Sequence, residues 1–182
     1  MNPHRGLLHH LIITVSDVRR ASLFYGAMFR YLGYELSSSS YGAGHDYEDW
    51  KRWDLDTPHE IGIGQADPKL AAVPHVRGAV GHHHHLAFCA ADRADVDRFH
   101  AAVRSTTITL SPGERANCRR AAVLVPLAVQ GLCTIEDPPC DCPEYGAGYY
   151  ATFFTDPDGL KYELVVNPNF LAAKAARNAP KS

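Results

Sequence analysis

Residues 7–15, Leu-Leu-His-His-Leu-Ile-Ile-Thr-Val, are dominated by apolar and β-branched side chains and predict a strand. Ser16-Asp17 follows as a helix N-cap. Beyond it Val18, Ala21, Tyr25, Met28, Phe29 and Leu32 recur at spacings of three and four, one apolar stripe of an amphipathic helix. Gly33 is placed to stop that helix. Tyr34-Glu35-Leu36 begins a second strand, and residues 37–46 read as a Ser/Gly-rich loop. A third strand is expected within 47–55 around Trp50 and Trp53, then a turn at Asp56-Thr57-Pro58 and a short strand over 60–64. The first module, residues 7–65, thus reads β-α-β-β-β.

Residues 66–81 contain Pro68, Pro74 and two glycines without periodicity, and they are expected to connect two modules. The pattern then restarts. Residues 83–90 predict a strand, and Asp92 heads a helix with Val96, Phe99, His100 and Val103 along one side. Further strands are expected at 132–136, 149–155 and 160–166, with a hairpin turn, Asp156-Pro157-Asp158-Gly159, between the last two. The second module spans 82–166. Its departure from the first is an extra segment, 105–130, longer than a helix–strand link needs and read as a surface excursion. Residues 167–174 suggest a short terminal helix within a tail that runs to 182.

The two openings align. His10 lies seven positions before Asp17, and His85 lies seven before Asp92, with each aspartate starting a helix. This is the signature of an internal duplication. Strand alternation then sorts the side chains. Leu11, Ile13 and Val15 share the helix-packing face, which leaves His10, Ile12 and Thr14 on the other. By the same rule Leu86, Phe88 and Ala90 pack inward and His85, Ala87 and Cys89 do not. Ile61 and Ile63 turn Glu60 outward, and Tyr162, Leu164 and Val166 turn Glu163 outward. Four potential metal ligands, His10, Glu60, His85 and Glu163, therefore fall on the non-helix faces of their strands. Tyr149 and Tyr150 differ in parity, so only one can share the face of Glu163.

Eleven histidines add weight to this chemistry, because imidazole is the commonest metal ligand. Four of them form the run His82 to His85, of which phase selects His85. His9, His82 and His84 read as solvent-facing or supporting groups, His83 shares the parity of His85 but precedes the sheet, and His59 reads as a turn residue or an acid–base group. The rest of the composition excludes more than it proposes. A net charge of −2 and a sequence pI near 6.6 give no sign of a nucleic-acid or membrane partner. No apolar run reaches the length of a bilayer span, and the N-terminus lacks a secretory apolar core, so a cytoplasmic location is expected. The five cysteines are read as reduced thiols, with Cys140-Asp141-Cys142 in a proline-rich loop.

The chain resembles the vicinal oxygen chelate superfamily, which includes glyoxalase I, extradiol dioxygenases and the fosfomycin and bleomycin resistance proteins. The resemblance rests on His10…Val15-Ser16-Asp17 with Phe24-Tyr25, on His84-His85-Leu86-Ala87-Phe88, and most specifically on the stretch from Gly148 through Asp156-Pro157-Asp158-Gly159 to Glu163. It implies an α+β fold, 1–182 as a single domain of two βαβββ modules with mixed sheets curled into a metal-binding cup. By that likeness His10, His85 and Glu163 match ligand positions, and Glu60 is the fourth candidate. The implied cofactor is a divalent ion such as Fe2+, Zn2+, Ni2+ or Mn2+. The implied partner is a small-molecule substrate with adjacent oxygens, bound by a monomer or homodimer. Four protein ligands point to isomerase or lyase chemistry in which Glu163 moves a proton. Three, His10, His85 and Glu163, make the two-histidine, one-carboxylate set suited to Fe(II) and oxygen. A metal-free cup that sequesters a small molecule with Tyr149, Tyr150, Phe153, Trp50 and Trp53 is the alternative.

Overall fold

The computed structural model describes residues 8–42, 46–53, 59–104, 131–170 and 172. The segment 105–130 lies outside them. The chain divides into two compact units, with the break between Pro74 and His75.

The first unit contains β1 (His10–Val15), α1 (Val18–Tyr31), β2 (Glu35–Ser40), β3 (Tyr47–Arg52) and β4 (His59–Gln65). Its sheet runs in the order β1-β4-β3-β2, with β1 and β4 parallel and the other pairs antiparallel. The helix begins where expected, since the Asp17 side chain accepts the Arg20 backbone N–H at 3.0 Å. It ends at Gly33, whose φ of 85° is the left-handed conformation glycine adopts without strain. Its buried stripe, Val18, Ala21, Phe24, Tyr25, Met28 and Phe29, packs with Ile13, Val15, Ile61 and Ile63 of the sheet. Each of the large side chains in that core contributes about 1.5–3 kcal/mol on burial.

Two expectations for this unit need correction. Strand β2 continues to Ser40 through residues expected to be loop, pairing Ser38, Ser39 and Ser40 with Asp49, Glu48 and Tyr47. All six of its residues are exposed at the sheet edge, so no hydrophobic alternation marks it. Trp50 is not available to a small molecule. Its ring is 1% exposed, 5.7 Å from the ring of Phe29, and its Nε1–H donates to Glu48 at 2.9 Å.

The second unit contains β5 (Leu86–Cys89), α2 (Arg93–Arg104), β6 (Thr134–Asp141), β7 (Tyr150–Thr155) and β8 (Lys161–Val166). The order β5-β8-β7-β6, with β5 parallel to β8, repeats that of the first unit. Asp92 caps α2 by accepting the Asp95 N–H at 2.7 Å. Val96, Phe99, Ala102 and Val103 are buried on its inner side, and Phe99, Phe154, Tyr162 and Phe88 form a chain of ring contacts at 5.0, 5.8 and 6.3 Å. His100 lies on that side half-buried, and burial followed by the charge of Arg104 lowers the pKa of its imidazole.

Here too the boundaries move. The first strand is shorter than 83–90, so His85 precedes the first paired residue, Leu86. Strand β6 runs well past 136 and carries Pro138 and Pro139 to Asp141, so the stretch expected as a proline-rich loop is partly strand. An edge strand tolerates this because a proline can turn its missing N–H away from the ladder. The register shifts on either side of Asp137 mark the irregularity. The hairpin between β7 and β8 forms as its sequence predicts. Asp156 Oδ1 accepts the N–H groups of Asp158 and Leu160 at 2.9 and 2.8 Å, and Gly159 has φ 86°. Residues 168–170 are helical. Among the described residues no helix is long and apolar enough to cross a membrane.

Candidate metal centre

Alternation along β8 turns Glu163 away from α2, and the residue is nonetheless only 3% exposed. The Tyr149 hydroxyl donates to its Oε1 at 2.6 Å. His85 Nε2 stands 3.5 Å from its Oε2. Cys142, Ala151 and Val165 form the apolar floor beneath, with Tyr149 and Phe153 packed against it. Burial, and then the bond to Glu163, raise the pKa of the Tyr149 phenol, which keeps it a donor at neutral pH. Burial and the adjacent Cys140 push the Cys142 thiol up to about 12. Tyr150, one residue on, faces the other way and donates to Asp97 of α2 at 2.7 Å. The parity argument for this pair of tyrosines therefore holds.

The first unit offers a different constellation. His10 is exposed at the start of β1 directly opposite Glu60 of β4. Glu60 Oε2 lies 3.3 Å from Lys51 Nζ, and that ammonium is also 3.5 Å from Asp49 Oδ2. Asp49 is 7% exposed, and among the described residues its Oδ1 is buried without a hydrogen-bond partner. Burial first, then the nearby Glu60 carboxylate, raise the pKa of Asp49. Tyr47 on the same strand is raised by burial and by the charges of Asp49 and Glu60. Tyr47, Asp49 and Lys51 were not singled out by sequence. Their only signal was alternation along Tyr47-Glu48-Asp49-Trp50-Lys51, in which every second residue carries a functional group on the face of Glu60.

Register shows that the two glutamates are not equivalent. Two residues after His85, Ala87 pairs with Glu163, whereas two residues after His10, Ile12 pairs with Gly62. Gly62 is thus the counterpart of Glu163, and Glu60 is the counterpart of Lys161. A Cβ at Gly62 would collide with the Tyr47 hydroxyl and stand 3.0 Å from two carbons of its ring, so that place is filled from β3. Lys161 pairs with Glu136 at 2.9 Å and lies 4.4 Å over the Phe153 ring.

The histidines repeat more closely. His9 Nδ1 and His10 Nδ1 are 3.0 Å apart with rings edge to face, and His84 Nδ1 and His85 Nδ1 are 2.8 Å apart in the same manner. His82 instead accepts the Val76 N–H at 3.0 Å, and His59 is an exposed residue at the head of β4.

Among the described residues no three His, Cys, Asp or Glu side chains already form a metal cluster. The pair His85–Glu163 fits an ion nonetheless. Two donors that each lie about 2.1 Å from one centre stand roughly 3–3.5 Å from each other, and the observed separation is 3.5 Å.

Comparison with known proteins identifies the family and the fold. The model of the Glyoxalase/Bleomycin resistance protein/Dioxygenase superfamily matches residues 7–164, and the chain belongs to that superfamily. A candidate glyoxalase from Bacillus halodurans superposes with a TM-score of 0.60 at 23% identity, covering 90% of this chain and 97% of that one. A glyoxalase/bleomycin resistance protein from Albidiferax ferrireducens gives 0.51 at 20% identity, covering 88% and 98%. A variant of the fosfomycin resistance protein FosX from Listeria monocytogenes, complexed with Mn(II) and 1S,2S-dihydroxypropylphosphonic acid, gives 0.55 at 15% identity, covering 93% and 98%. A search of curated proteins found no match.

Proposed function

We propose that the protein is a divalent-metal enzyme acting on a small molecule with two adjacent oxygen atoms, with His85 and Glu163 as metal ligands of the second unit and His10 and Glu60 as the candidate ligands of the first. The observation that carries this reading is the placement of His85 Nε2 against the buried Glu163 carboxylate, with His10 in the duplicated position of the other unit. Two imidazoles and a carboxylate are a borderline donor set that favours Mn2+, Fe2+, Ni2+ or Zn2+ over calcium or magnesium. The neighbour that binds Mn(II) together with a vicinal diol supports both the cofactor and the substrate class. Glu60 is the fourth candidate. Its engagement by Lys51, and Gly62 in the register position of Glu163, favour a three-residue set over a four-residue one.

When bound, such an ion supplies Lewis-acid polarisation of the substrate oxygens and leaves coordination positions open to them. The residues do the rest. Tyr149 fixes the orientation of Glu163 by donating to Oε1, which leaves Oε2 toward His85. The floor of Cys142, Ala151 and Val165 excludes water from beneath the carboxylate. In the first unit Asp49, Lys51 and Glu60 form a polar group able to hold or pass a proton. The reading includes oxygen-dependent ring cleavage with three protein ligands and isomerase or lyase chemistry with four, and oxygen consumption with a catechol separates them.

The deciding experiment is metal analysis of tag-free protein alongside His85→Ala and Glu163→Ala. Near-stoichiometric metal in the wild type and its loss in both variants supports the centre; equal trace metal in all three removes it. The apolar floor with Tyr149 and Phe153 favours one second reading, a metal-free cup that sequesters a small hydrophobic molecule. That reading gains if the wild type binds such ligands without metal and Glu163→Ala binds them equally well.

A further inference from the structure

We propose that His9 and His84 are positioning residues for His10 and His85, each holding its neighbour's Nδ1 through a hydrogen bond that can run in either direction. The inference rests on the metal-centre reading. Nitrogens 2.8 Å apart, as in His84 and His85, are stable only if one carries the proton and the other offers a lone pair. The Nε2 atom of His85 faces the Glu163 carboxylate, and a carboxylate accepts. Without metal the proton of a neutral His85 therefore belongs on Nε2, and its Nδ1 accepts from His84. A metal on Nε2 needs that lone pair. The His85 proton then resides on Nδ1, and the bond to His84 must reverse.

Few partners allow this. A backbone N–H only donates, and a carboxylate only accepts. A second imidazole does either by changing tautomer. His84 can thus keep the His85 ring in one orientation in both states, which is how outer partners strengthen metal sites. The first unit repeats the arrangement. His9 and His10 precede Leu11 as His84 and His85 precede Leu86, with the Nδ1 atoms 3.0 Å apart and ring centroids at 5.3 Å against 5.0 Å. Two units with different residues around their carboxylates share this one detail, and shared function is the economical account of it. His9 and His84 are exposed, so neither pair is imposed by core packing.

The test uses the full, tag-free chain with 15N-labelled histidine, held at about pH 8.5, above the ordinary imidazole range, and Zn2+ as a diamagnetic probe. Long-range proton–nitrogen spectra report which ring nitrogen carries the proton, and calorimetry reports zinc affinity. The expected result is His85 protonated on Nε2 without zinc and on Nδ1 with it. His84→Ala should disturb the zinc-free His85 signals and weaken zinc binding roughly 10–100-fold. His84→Asn should recover most of that loss, since its amide offers either an oxygen or an N–H. If His84→Ala leaves both spectra and affinity unchanged while His85→Ala abolishes binding, the positioning role is wrong and the metal centre stands. If zinc binding is indifferent to His85→Ala, the centre itself is wrong and the positioning role falls with it.

Discussion

Tyr149 and Asp49 show how one atom decides a side chain's part. Tyr149→Phe removes only the donor to Glu163 and leaves a buried carboxylate short of a partner. It should cost about 1–3 kcal/mol in urea denaturation and weaken metal binding about tenfold, with the fold unchanged by circular dichroism. Asp49 carries a cost of the opposite sense. Its folded pKa lies above the unfolded value, so its contribution is fully favourable only at low pH and is lost as pH rises through the folded pKa. Asp49→Asn, a permanent mimic of the neutral form, should therefore be more stable relative to wild type at pH 7 than at pH 3 when melts are compared. A variant that loses more stability at pH 7 than at pH 3 would show that the carboxylate is held by Lys51 more strongly than burial disfavours it. At this scale the sequence was informative where alternation applied. His10, His85 and Glu163 were placed on the open faces by parity alone, and so was the opposition of Tyr149 to Tyr150. It was silent where pairing register mattered, because nothing along β4 distinguishes Glu60 from Gly62 as the partner of a residue seventy-five positions from its duplicate.

Among the elements, the helices and the last hairpin were readable because local chemistry specifies them. Asp17 and Asp92 each cap a helix, and Asp156 with Gly159 closes a turn, using only neighbours a few residues away. Asp17→Ala should cost about 1 kcal/mol in equilibrium unfolding. Asp156→Ala, at a carboxylate 4% exposed that holds two backbone N–H groups, should cost about 1–3 kcal/mol. A smaller loss for Asp156 than for Asp17 would mean that the turn is held by its glycine and flanking strands. The edge strands were the unreadable elements. Strand β2 is exposed on both sides and β6 contains two prolines, so neither shows the alternation that half-burial imposes. Their existence is dictated by partners, β3 and β7, that lie inside the sheets.

For the whole molecule the superfamily assignment covers both units. Ligand at 100 times its dissociation constant adds about 2.7 kcal/mol to a folded state that binds it. Added Mn2+ should raise the melting temperature of the wild type, and His85→Ala and His10→Ala, compared in parallel, show which unit's histidine the rise needs. Retention of the full rise in His10→Ala would confine the metal to the second unit.

The glycine opposite Ile12 has a consequence for redesign. In the second unit the same strand position carries the Glu163 carboxylate, so the two units differ there by a single residue choice. The Tyr47 ring now occupies the space that a longer side chain at 62 would need. Gly62→Glu alone is blocked, but Gly62→Glu combined with Tyr47→Ala opens that space and supplies a second inward carboxylate. The double variant should give the first unit a carboxylate in the register position of Glu163, and zinc calorimetry against wild type measures the affinity it adds.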